Sequence, residues 1–261
     1  MSALGELVRH RDLLWLLVLR EIRIRYARAV LGAGWAVAVP LVTVLVFTGL
    51  RFSRLLDGAD RFADVPYPLF AYCGLVPWTH FATSVTQATP SLVNLRELLR
   101  KSAFPREVVP LSKVLAALLD LAIGAVLLLV LLLAYGRTLA PAALAVPGVL
   151  VLQLAFTAGL ALLLAVGNVY FRDVNYLLQV GIVLLMFASP VVYPLPEDGG
   201  ALGTLLRWNP MASYLTAYRE ALLLGRWPGA TIVPGALGAV VSLGLGLSVF
   251  RHVSARLPEE V

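Results

Sequence analysis

Cysteine occurs once in the 261-residue chain, at Cys73, so no internal disulfide can staple the fold and the redox compartment is not readable. Lysine occurs only as Lys101 and Lys113, which leaves arginine to supply nearly all of a formal net charge of +6. Charged residues make up 14% of the chain, against roughly a quarter in an ordinary soluble domain. No GxxxxGK(S/T) pattern is present, so the chain does not cradle nucleotide phosphates itself. His10, His80 and His252 lie in different segments, and none forms HExxH or sits beside a cysteine, which argues against a metal site. A GxSxG elbow is also missing. Catalysis of a covalent step therefore lacks its parts, and we expect a chain that is not an enzyme and carries no cofactor.

What fills the sequence instead is apolar: 60% of the residues are hydrophobic. Several runs reach the ~20 apolar residues that cross a hydrocarbon core of about 30 Å. The expected class is an all-α integral membrane protein. Six spans fall at about 31–50, 67–92, 114–135, 142–168, 176–193 and 232–250, within a single transmembrane domain covering 1–261. The run at 13–19 is too short to span and poorly placed as a signal peptide, since no small-residue cleavage site follows it. Basic and aromatic residues do not interleave in any polar segment, so nucleic acid is not an expected partner.

The charges are distributed unevenly. Residues 94–113, NLRELLRKSAFPREVVPLSK, form a basic island between two apolar runs. Leu95, Leu98 and Leu99 recur at helical spacing, and Pro105 takes Phe104 out of the helical region, so the first half reads as a short amphipathic helix. Such a loop is normally cytoplasmic because Lys and Arg resist translocation. Placing both termini inside puts 14 of the 21 Lys and Arg on the cytoplasmic side, which supports that orientation. Residues 12–30 differ from the spans. Trp15, Leu19, Ile22 and Tyr26 fall on one stripe with Arg20, Arg23 and Arg28 away from it, the pattern of a helix lying in the membrane interface. Between the fifth and sixth spans, 201–226 holds two short apolar stretches divided by Trp208-Asn209-Pro210. These suit re-entrant helices in the outer leaflet, or else an amphipathic external helix; periodicity does not separate the two.

Asp120 is the one acid inside a span, about 10 Å along the helix axis from Lys113. It is either a functional group or a carboxylate near the interface paired with an arginine from another segment. Aromatic residues gather near span ends, as in an interfacial belt. Those facing a passage would offer stacking surfaces to sugar rings; Tyr67, Phe70, Tyr72, Tyr193, Trp208 and Tyr214 are the candidates.

In order and spacing, the segments REIRIRYARAVLGAGWAVAVP, YPLFAYCGLVPW, NLRELLRKSAFPREVVPLSK, FRDVN, SPVVYP and WNP resemble the membrane subunits of ABC-2 type polysaccharide exporters. The resemblance implies export of lipid-linked O-antigen, capsule or teichoic acid chains across the bacterial inner membrane. It implies a homodimer that binds two copies of a separate ATPase, which carries the ATP and magnesium. Residues 94–107 would then be the coupling helix, with Leu95, Arg96, Leu98, Leu99, Arg100, Lys101, Phe104, Pro105, Arg106 and Glu107 meeting the ATPase. Two other readings stay open: an ABC-2 exporter of a drug or simple lipid, and a membrane scaffold that transports nothing.

Overall fold

The structure is a computed structural model and describes residues 10–27, 34–52, 64–96, 105–194 and 200–254. Regular structure among these residues is helical. In chain order the helices are α1 (Arg11–Tyr26), α2 (Trp35–Phe52), α3 (Tyr67–Ala88), α4 (Ser91–Asn94), α5 (Val108–Ala116), α6 (Leu118–Ala134), α7 (Val146–Tyr170), α8 (Asp173–Phe187), α9 (Ala201–Arg207), α10 (Pro210–Leu222) and α11 (Val233–Ser254). Short 3-10 turns at Pro141–Ala145 and Ala230–Ile232 lead into α7 and α11.

Local sequence explains the ends. Proline occupies the first turn of α3, α7 and α10, where its missing N–H costs nothing. The chain leaves α6 through Gly136 at φ 68°, with Gly136 N–H donating to Leu133 and Arg137 N–H to Leu132. That paired closure needs a left-handed residue, which glycine supplies without strain.

Among the described residues, three helical stretches are long and apolar enough to cross a membrane: Val108–Ala134, Pro141–Tyr170 and Ala230–Val253. Two shorter apolar helices, Val37–Gly49 and Asp173–Phe187, join them. The stretch expected at 114–135 starts earlier, because Pro110 falls in the first turn of α5, where a proline is tolerated. The expected 67–92 segment stops at Ala88, with a separate turn after Pro90, and the expected 176–193 segment stops at Phe187.

α3 is the hub and touches α2, α5, α6, α7, α8 and α10. Accordingly it is buried from Leu69 through Trp78 without interruption, and its polar Thr, Ser, His and Gln residues follow at 79–87. α7 and α11 meet backbone to backbone: a Cβ on Gly159 would lie 2.2 Å from the Ser242 carbonyl carbon, and one on Gly246 would lie 2.5 Å from Gly159 O. α8 is the opposite case. It buries nothing, and Tyr176, Leu177, Val180, Leu184 and Phe187 are all exposed. An apolar surface of that kind calls for a cover of lipid or protein.

Candidate functional site

The chain emerging from α8 does not continue as a helix. Ser189, Pro190, Val191 and Val192 are buried, yet their backbone is irregular and makes few bonds to itself. Irregular buried backbone is stable only where its polar groups find partners. Here donors converge from four places. Tyr193 Oη–H donates to Phe187 O (2.5 Å), Asn209 Nδ2 to Ala188 O (3.0 Å) and Ser189 Oγ (2.9 Å), and Tyr67 Oη–H to Val192 O (2.9 Å). Arg219 supplies the remaining two bonds, Nη1 to Pro190 O and Nη2 to Val191 O, both at 2.5 Å.

Arg219 is almost wholly buried, at 1% exposure. Its guanidinium carbon stands 3.7 Å from the centroid of the Phe70 ring, and Nε reaches Phe70 O at 3.4 Å. Gly74 leaves the space it occupies: a Cβ there would lie 2.3 Å from Nη2 and 2.4 Å from Val191 O. α10, which carries Arg219, is buried from Met211 through Ala221. α10 is therefore packed inside the bundle and does not lie on its surface. Asn209 caps α10 by accepting from Met211 N–H (2.9 Å), and Tyr214 Oη–H holds it to α11 through Gly235 O (2.6 Å).

A second cluster lies near the other end of α3. Arg25 Nη1 donates to Asp120 and Nη2 to Gln87 Oε1 (2.5 Å), while Tyr26 Oη–H donates to the second Asp120 oxygen. One turn away, Lys113 pairs with Glu21. These four charged side chains are between 12% and 17% exposed, so their pairing is only partly screened by solvent. Beneath them Leu17 of α1 packs with Leu92, Val108, Val109 and Phe250. A cavity of about 380 Å³ adjoins the cluster, with Arg25, Tyr26, Trp35, Thr79, His80 and Asp120 among its walls.

The family ABC-2 type transporter matches residues 12–223. The chain is 34% identical to the O-antigen export system permease protein RfbA of Myxococcus xanthus over 260 residues, 98% of both chains. It is 27% identical to RfbA of Klebsiella pneumoniae over 250 residues, 95% of this chain and 94% of that one. Against the polysialic acid transport protein KpsM of Escherichia coli it is 25% identical over 242 residues, 90% of this chain and 91% of the other. The chain belongs to the ABC-2 type transporter family.

As an ABC-2 chain it is an integral membrane protein, and its motif segments can be placed. YPLF, SPVVYP and WNP, separate in sequence, meet at the turn after α8. REIRIRY and the end of PLSK meet at Glu21 and Lys113. Arg219, Arg25, Glu21 and Gln87 were not singled out from sequence.

The six aromatic residues expected along a glycan path differ widely in burial. Phe70, Tyr72 and Tyr214 are buried inside the protomer, and Arg219 covers one face of Phe70. None of the three presents an open ring. Tyr67 and Tyr193 are half-buried with their hydroxyls engaged, and Trp208 alone of the six is well exposed.

On α1, the stripe expected in the membrane interface stays largely outside the bundle. Trp15, Leu19, Arg20 and Arg23 are exposed, Ile22 and Tyr26 are half-buried, and the bundle is met by Leu17 and Val18 with Glu21 and Arg25. Leu13 to Leu19 is apolar nearly all round, so hydrophobicity alone did not choose the face. Of the expected coupling residues, Leu98, Leu99, Arg100, Lys101 and Phe104 lie outside the described residues. Leu95 packs against the cluster below α1, Arg96 is exposed, Pro105 and Arg106 are half-buried and Glu107 is buried.

Proposed function

We propose that this chain is the membrane-spanning permease of a bacterial ABC transporter that exports a lipid-linked polysaccharide. The observation that carries the reading is full-length similarity to an O-antigen export permease, with 98% of both chains aligned. The chain works as a homodimer with two copies of a separate ATPase. ATP and magnesium bind that partner, in keeping with the missing phosphate-binding loop here. It crosses the inner membrane six times with both termini in the cytoplasm. Residues 12–30 lie at the inner interface, 94–107 dock on the ATPase, and 201–226 form a re-entrant pair on the outer side. The turn after α8 then belongs to the outer half of the bundle and the Arg25–Asp120 cluster to the inner half. Trp208 and Tyr193 are the aromatic residues best placed to meet a moving glycan, because stacking tolerates sliding.

Complementation tests the reading. In a strain whose own O-antigen permease is deleted, this chain expressed with the ATPase that co-purifies with it restores glycan at the cell surface. An assembled complex with a bare surface would reject the proposal. Docking is checked by Leu98→Asp together with Leu99→Asp, which places charge in an apolar contact; export stops while membrane insertion persists. For orientation, single cysteines at Ser53 or Gly199 in a Cys73→Ser chain react with an impermeant thiol reagent from outside. Those at Ser102 or Ser254 do not.

A further inference from the structure

A buried cation in a membrane protein usually meets a carboxylate, because an unpaired charge is costly there. Arg219 does not. Its bonds go to the carbonyls of Pro190, Val191 and Phe70, and its flat face lies on the Phe70 ring. If the site needed only volume, methionine or leucine would fill it without the cost of desolvating a charge. Two neighbouring N–H groups aimed at two consecutive carbonyls are what the rigid guanidinium fork provides and an ammonium does not. The opposing helix is cut back to match, since Gly74 has no atom where Nη2 and Val191 O sit. The acceptors belong to a turn whose other carbonyls are taken by Tyr193, Asn209 and Tyr67. Without Arg219 two adjacent buried carbonyls would lose these partners.

We propose that Arg219 is a positioning residue for export: its guanidinium clamps the turn at 188–192 onto α3, holding the end of α8 in one shape beside Tyr193 and Trp208. The role rests on the export reading above. It does not require the guanidinium to touch the glycan; the clamp acts through the turn it fixes. Gly74 belongs to the same device, because any side chain there pushes the fork and the Val191 carbonyl apart.

The test uses the complete complex with its ATPase, in lipid nanodiscs for hydrogen–deuterium exchange and in vesicles for export. In Arg219→Met the amides of 187–193 exchange roughly ten- to a hundredfold faster, the loss of about one charge-assisted bond. Amides in α7 and α11 keep their wild-type rates. Export per assembled complex falls about tenfold while ATP hydrolysis continues. Gly74→Ala produces the same local loosening with Arg219 intact, although alanine favours a helix more than glycine does. Arg219→Lys restores part of the export. Wild-type exchange at 187–193 in both Arg219→Met and Gly74→Ala overturns the proposal. So does equal loosening of α7 and α11, which would make Arg219 a general stabiliser, and so does unchanged export per complex in both variants. If Arg219→Met does not assemble, Gly74→Ala and Arg219→Lys decide. A wild-type complex that moves no glycan rejects the export reading, and the exchange pattern still decides whether Arg219 clamps the turn.

Discussion

The two ends of α3 are fastened by different chemistry. Near Gln87, cations meet carboxylates: Arg25 with Asp120 and Lys113 with Glu21, partly open to solvent and next to a 380 Å³ cavity. Near Phe70, about 25 Å away along the helix, Arg219 is buried and among the described residues meets carbonyls and an aromatic ring. The first arrangement ties down a separate helix, α1, whose remaining sides are exposed. The second ties down backbone that has no regular structure of its own. Ion pairs between side chains can be re-formed in more than one geometry, since charge attraction is weakly directional. A fork on two consecutive carbonyls has one geometry. The difference suits a movable attachment where the motor is proposed to dock and a fixed one at the far end.

Breaking one partner of the ionic end gives the largest effect on stability. Asp120→Ala leaves the half-buried Arg25 without its anion and costs about 2 kcal/mol, between the values for an exposed and a fully buried pair. Replacing both Arg25 and Asp120 by leucine costs less than that single change, because no unpaired charge remains. Thermal unfolding of the purified chain in nanodiscs, run as a double-mutant cycle, measures both. The carbonyl end behaves otherwise. Arg219→Glu finds no positive partner in its site, and no charge exchange with a neighbour repairs it, whereas Arg25→Asp with Asp120→Arg recovers part of the lost stability.

Next in size is Asn209→Ala. It removes the cap on α10, worth about 1 kcal/mol, and the donor to Ala188 O and Ser189 Oγ. The loss appears in exchange at both 187–193 and 210–213. Tyr67→Phe is milder, about 1 kcal/mol for a single hydrogen bond to Val192 O, and shows at the turn alone. Smallest is the response to salt. Raising ionic strength from 0.15 to 1 M shortens the screening length from about 8 to 3 Å. Protease access to α1 rises slightly, and the turn after α8 does not change.

Part of this was legible in the sequence. Helicity and membrane character follow from long apolar runs, and the segments YPLF, SPVVYP and WNP marked the right stretches. Their meeting was not legible, because the bonds join residues up to 149 positions apart. Arg219 lies in TAYRE, where it reads as one more loop cation and adds to the charge of the outer side. Only the buried surroundings of α10 show otherwise. Asp120 was visible as the lone acid in a span, but its partner was hidden among the several arginines of α1. The burial of Phe70, Tyr72 and Tyr214 was not legible for a plain reason: an aromatic near a helix end looks alike whether it faces lipid, a passage or a packed core.

The most direct measurement is ATP-driven movement of a lipid-linked glycan across vesicles that hold this chain with its ATPase. We expect glycan to cross only when both chains and ATP are present, and Leu98→Asp with Leu99→Asp to abolish the movement while the chain remains in the membrane. Glycan movement at the same rate without this chain, or steady ATP hydrolysis by an assembled wild-type complex with no glycan moved, would contradict the export reading.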